Sequence, residues 1–303
     1  MSGPIQFLKS VLRGRARDAS PRQRGRQLDG GSTTVPVESL PFPPIELRKI
    51  VGPTESAFFD NPSGELIWGD LAIGPLRPGE AYRRILDFGC GCGRQARQLF
   101  LQKTPPERYV GIDINKEMIR WCGKNLRPHG IEVRFDHHDV WSMTYAPKNS
   151  RNETQPIHGY GTDFTLINAH SVFTHLYERQ TEFYLQECAR MLDERGLLRT
   201  TWFFFNRDWF PVLAPHQHTL FVNDHDPIQA IYYDWSYFLD LLQQMGLKIV
   251  HVNWTLMPGF QTEIYLATGA EFTDLTPGLE PAETVLGFGA SKPPHYDGPS
   301  AGV

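Results

Sequence analysis

Cysteine is scarce in this chain. Only Cys90, Cys92, Cys122 and Cys188 occur in 303 residues, which is no disulfide framework and suits a reducing, cytoplasmic compartment. Cys90-x-Cys92 has the look of half a metal site. No second Cys or His pair at zinc spacing accompanies it, so no metal is expected and the cysteines read as small residues in a tight turn. Long apolar runs are also missing, which excludes a membrane-spanning helix. Neither sign of charge dominates: 30 Lys and Arg face 34 Asp and Glu, for a net charge of −4. With a pI near 6.3, the chain as a whole is not drawn to nucleic acid or to an anionic membrane. There is no internal repeat. What remains is one large domain or one domain with tails, long enough to bury a full core.

The richest stretch is Ile85-Leu86-Asp87-Phe88-Gly89-Cys90-Gly91-Cys92-Gly93-Arg94. An apolar strand ends in an acid, glycines follow at alternate positions, and a helical pattern with Ala96, Leu99 and Phe100 on one side comes next. Side chains are removed where a ligand must approach the backbone. A second strand, Tyr109-Val110-Gly111-Ile112, ends in Asp113, about twenty residues beyond Gly93, the spacing of an acid that accepts hydrogen bonds from both ribose hydroxyls. An adenosine-containing cofactor is therefore expected. From Gly91 the run partly fits the dinucleotide fingerprint of NAD-dependent oxidoreductases. From Asp87 it reads Asp-x-Gly-x-Gly-x-Gly and resembles the first motif of class I S-adenosylmethionine-dependent methyltransferases. The second reading gives Asp87 a use beside the cofactor's ammonium group, where it would repel a pyrophosphate.

Between the tails, strand and helix patterns alternate. Strands are expected near 84–88, 108–113, 131–135, 163–168, 196–203, 247–252 and 262–268, and helices near 94–102, 115–126, 177–193 and 234–245, with Gly196 and Gly246 as helix stops. The fold class expected is α/β, a Rossmann-like, seven-stranded, mostly parallel sheet with helices on both faces. Residues 1–35 carry Lys9, Arg13, Arg15, Arg17, Arg22, Arg24 and Arg26 against Asp18 and Asp29. They read as a disordered tail by composition, with a membrane-surface helix or a targeting peptide as alternatives. Residues 36–80 form a helical cap, 81–270 the cofactor-binding domain with a lid at 202–237, and 271–303 a Pro/Gly-rich tail. The stretch 141–162 is loop-like and polar, the segment 142–162 is unusually long, and Asn152-Glu153-Thr154 is formally a glycosylation sequon that loop composition explains as well.

The methyltransferase resemblance runs from about 82 to 268. It implies S-adenosyl-L-methionine as cofactor and the fold just described. Gly111-Ile112-Asp113-Ile114-Asn115 is similar to the second motif, with Asp113 on the ribose and Ile114 beside the adenine. His138-Asp139-Val140 resembles the third, where an acid meets the adenine amino group. Residues Phe164 to Leu176 resemble the fourth strand and its outgoing loop. The cofactor residues implied are Asp87, Gly89, Gly91, Gly93, Asp113, Ile114, Asp139, Val140 and Asn168. In form the motifs look like those of bacterial small-molecule and glycan methyltransferases.

Methyl transfer from a sulfonium needs alignment and dryness more than covalent help. A hydroxyl acceptor also needs a base within hydrogen-bond reach. Candidates lie where the strands of a parallel sheet end: His170 first, then His175, with His216, His218 and His225 on the lid in reserve. The aromatics between 209 and 235 suit a sugar ring or an apolar aglycone. The expected acceptor is a hydroxylated small molecule or glycan and not nucleic acid, since Asn168-Ala169-His170-Ser171 lacks the Asn/Asp-Pro-Pro-Tyr/Phe signature of base methylation. A non-catalytic nucleotide-binding protein on this fold is the remaining alternative.

Overall fold

The computed structural model describes residues 40–67, 78–221, 225–254 and 261–279. The expected tail at 1–35 lies outside the described residues, as does 280–303. In chain order the elements are helices α1 (Ile45–Ile50) and α2 (Pro78–Ala81), strand β1 (Arg84–Phe88), α3 (Arg94–Phe100), β2 (Arg108–Asp113), α4 (Lys116–Asn125) and β3 (Glu132–His137). Then follow β4 (Phe164–Ala169), α5 (Glu178–Met191), β5 (Leu192–Phe205), β6 (Thr219–Phe221), β7 (Ile231–Asp234), α6 (Trp235–Met245), β8 (Lys248–Asn253) and β9 (Thr262–Ala267).

The sheet runs β3-β2-β1-β4-β5-β7-β6, with β9 also on β5 and β8 on β9. Strands β1 to β5 are parallel neighbours. Their two faces are both covered, as parallel sheets require. Leu86, Phe88, Ile112 and Ile167 pack with Tyr184, Leu185, Phe238 and Leu242 of α5 and α6. Ile85, Tyr109 and Leu166 pack on the other side with Ala96, Leu99 and Cys122 of α3 and α4. Local chemistry sets the helix ends: the Asn115 side chain accepts from Glu117 N and Met118 N at 3.1 Å each, Asp234 caps α6 through Ser236 N, and Gly246 closes α6 in the left-handed region.

The expected α/β class holds, but the sheet has nine strands among the described residues rather than seven. The difference lies in β5, which at 14 residues is long enough to fork. Leu198–Trp202 pair with antiparallel β9, while Phe203–Phe205 run on to pair with parallel β7, which carries β6. Within the segment expected as a lid, Trp202–Phe205, Thr219–Phe221 and Ile231–Asp234 are strand. Trp202 and Phe204 face one core cluster and Phe203 and Phe205 another, the alternation a strand imposes. Gly196 is not a helix stop. Helix α5 ends at Met191, and Gly196 lies inside β5, where a Cβ would meet Phe164 O at 2.5 Å. The pairing of β4 with β5 slips here, from Phe164↔Leu192 to Leu166↔Leu197, and glycine permits the close approach. Residues 271–279 are not all tail either: Phe272 is core, and Leu275 N donates to Ile249 O at 2.8 Å.

Candidate active site

A cavity of about 440 Å³ opens where β1, β2 and β4 end. The glycine turn forms its floor. Gly89 and Gly91 line it; at Gly91, φ is +55° and a Cβ would sit 2.8 Å from Val51 of the cap. Gly93 differs from the expectation, because it does not line the cavity. Its φ is +78°, and a Cβ would meet Leu126 at 2.4 Å and Cys122 at 3.1 Å, so this glycine lets α3 pack against α4.

Asp113 lines the cavity at the tip of β2. Its Oδ2 accepts from Gly91 N and its Oδ1 from Asn115 N, both at 2.7 Å. The acid therefore ties the glycine turn to the second strand and keeps lone pairs on both oxygens for a ligand. Burial pushes its pKa up, against the pull of the two backbone N–H groups. Ile114, Met118 and Val140 add apolar walls beside it. A carboxylate with free lone pairs next to flat apolar walls fits a ribose and its base.

Asp87 departs from the expectation. It is 2% exposed and absent from the cavity wall. Tyr109 Oη donates to its Oδ2 at 2.5 Å and Asn168 Nδ2 to its Oδ1 at 2.6 Å. Position 87 faces the α3 side of the sheet, while its neighbour Phe88 faces the cavity. Burial raises its pKa. The carboxylate is consumed inside the protein, so its charge does not choose between cofactors. Asn168, 1% exposed, is likewise internal. It bridges Asp87, Gln95 and Arg199, accepting from Arg199 Nη1 at 2.7 Å.

Asp139 is exposed and accepts from Ser150 N at 3.1 Å. It too misses the cavity, which its neighbours His138 and Val140 line instead. Among the contributors that sequence reasoning missed, three stand out. The end of α1 (Ile50 to Gly52) reaches the wall, as do Trp141, Ser142, Met143, Tyr145 and Glu153 from the long loop after β3. That loop is held by Asn149, whose Nδ2 donates to Ile114 O at 2.9 Å and Val140 O at 3.0 Å. The unusual length of 142–162 was the available signal. The third is Arg94, which directly follows the glycine turn.

The histidines divide. His170 and His175 line the cavity; His216, His218 and His225 do not. His216 and His225 are exposed, and the His218 ring, just before β6, stacks on Tyr237 at 4.2 Å. His175 Nδ1 lies 2.7 Å from Ile228 O. A carbonyl only accepts, so Nδ1 carries the proton and Nε2 keeps its lone pair. Nε2 lies 3.4 Å from Ser171 Oγ. Burial lowers the pKa of His175, against the Ile228 carbonyl and Asp226. His170 is the reverse. Its Nδ1 faces Arg199 Nη2 at 3.4 Å, and a guanidinium only donates, so Nε2 bears the proton. Burial, with Arg199 and Arg94, holds its pKa well below the imidazole range. Among the described residues no group of three or more His, Cys, Asp or Glu could hold a metal ion, and no helix is long and apolar enough to cross a membrane.

A family model described as a methyltransferase domain matches residues 85–196, from β1 through the start of β5. Residues 85–196 are thus similar to a methyltransferase domain. The domain includes the glycine turn, Asp113, the long loop and both cavity histidines. Similar proteins include an uncharacterized methyltransferase of Emericella nidulans, 28% identical over 82 residues, 27% of this chain and 29% of that protein. Another is a polyamine aminopropyltransferase of Caldanaerobacter subterraneus subsp. tengcongensis, 33% identical over 95 residues, 30% and 31% of the two chains. The chain thus spans less than a third of these curated relatives. Among solved structures, an S-adenosylmethionine-dependent methyltransferase from Clostridium acetobutylicum overlaps 62% of this chain and 85% of its own, with TM-score 0.44 and 13% identity.

Proposed function

We propose that the protein transfers a methyl group from S-adenosylmethionine to a hydroxyl of a small-molecule or glycan acceptor. The observation that carries this reading is the cavity inside the methyltransferase domain, with Asp113 and the Gly89–Gly91 turn at one end and His175 at the other. The cofactor supplies the activated methyl. Asp113 holds the ribose, Ile114, Met118 and Val140 flank the adenine, and Gly89 and Gly91 let the chain approach the backbone. Tyr145, Leu176, Tyr177 and Ile228 form an apolar and aromatic wall around His175, suited to an uncharged ring. His175 Nε2, locked as an acceptor by the Ile228 carbonyl, takes the hydroxyl proton. His170 offers a hydrogen bond from Nε2–H and does not act as base. Trp141 to Tyr145 and the end of α1 keep water out.

Thermal melts with added ligand test the cofactor. S-adenosylhomocysteine raises Tm, by mass action on the native state, and NAD does not; the opposite pattern sinks the reading. Transfer of labelled methyl from S-adenosylmethionine to 4-nitrophenol, catechol and a phenyl glycoside then tests the acceptor class.

A further inference from the structure

Arg94 lines the cavity from the first position of α3, beside Gln95 and His170. Among the described residues no hydrogen bond or ion pair engages its guanidinium. The other arginine of this region is already satisfied: Arg199 pairs with Glu263 and donates to Asn168. The carboxylate whose charge acts on it, Asp87, is occupied by Tyr109 and Asn168 and shielded from the cavity. Arg94 is half-buried, and burial lowers its pKa, with Arg199 adding to the effect against Cys92 and Asp87. A cation held out of water beside two other positive or donor groups, with no carboxylate of its own, is stabilised by an anion from outside.

Strand order places that anion. With the ribose on Asp113 at β2, the rest of the cofactor extends toward β1 and β4, where Arg94 stands. The only anion on that half of S-adenosylmethionine is the carboxylate of its methionine part. We infer that Arg94 binds the cofactor's α-carboxylate, with a planar fork suited to a two-point grip. The inference rests on the proposed cofactor site. It assigns to Arg94 the anchoring of the methionine end that Asp87, by its burial, does not provide.

Isothermal titration of the full chain with two ligands tests it. S-adenosylhomocysteine carries the carboxylate; 5′-methylthioadenosine keeps the adenosine and sulfur but lacks the amino-acid end. Arg94→Met weakens S-adenosylhomocysteine about 10- to 100-fold, the range for a charge-assisted hydrogen bond, and leaves 5′-methylthioadenosine within about twofold. Arg94→Lys recovers part of the loss. Retained binding of 5′-methylthioadenosine also shows that the variant is folded. Equal weakening of both ligands, or of neither, overturns the role of Arg94. If the unaltered protein binds neither ligand, the cofactor site itself is wrong and the inference falls with it.

Discussion

His138 links stability to pH in a way that can be measured one residue at a time. It is 7% exposed, its Nε2 lies 2.9 Å from Tyr184 Oη, and its ring meets Phe88 edge-on at 6.2 Å. Burial, aided by His137 and His158, lowers its pKa from 6.5 to about 4, against the opposing pull of Asp139 and Glu187. The unfolded chain therefore takes up this proton first as pH falls. Stability is lost from about pH 6.5 down to about pH 4 and levels off below. At about 1.4 kcal/mol per pH unit, the histidine removes about 2 kcal/mol by pH 5 relative to pH 7. Urea unfolding of the wild type and His138→Gln at both pH values reads this directly, because glutamine keeps a hydrogen bond to Tyr184 but does not titrate. The other histidines are common to both proteins and cancel in the difference. The wild type should lose about 2 kcal/mol more than the variant between pH 7 and pH 5. Equal losses would show that His138 titrates normally in the folded state.

Three further outcomes follow from named contacts. Asp113→Asn weakens S-adenosylhomocysteine by about 2–3 kcal/mol, the value of a charged hydrogen-bond acceptor; an unchanged affinity by titration calorimetry would remove Asp113 from the ribose. Gly93→Ala destabilises by about 1–3 kcal/mol in urea through its clash with Leu126 and its positive φ, and an unaltered midpoint would contradict the packing role. His175→Asn lowers turnover on a responsive acceptor by ~10²–10⁴ with cofactor affinity kept. In the wild type the acid limb of the pH–rate profile lies below 6.5, since the base must be unprotonated and burial depresses its pKa; a loss in His170→Asn alone would reverse the two histidines.

The strand–glycine–helix turn, the acid at the tip of β2 and the alternation of parallel strands with helices were legible in the sequence because each is a local pattern. Spacing along the chain suffices to place Gly89, Gly91 and Asp113. The tertiary structure decided which side chains at the strand ends face the cavity. Asp87 and Asp139 are each one residue away from positions that do, Phe88 and His138, and successive residues of an extended chain point to opposite sides. No spacing rule resolves that one-residue parity. The proposed choice between the two histidines rests on contacts distant in sequence: Ile228 O reaches His175 from 53 residues away, and Arg199 approaches His170 from 29. These partners fix which imidazole nitrogen carries a proton, and only the folding of β5 and its extension beside β4 brings them there.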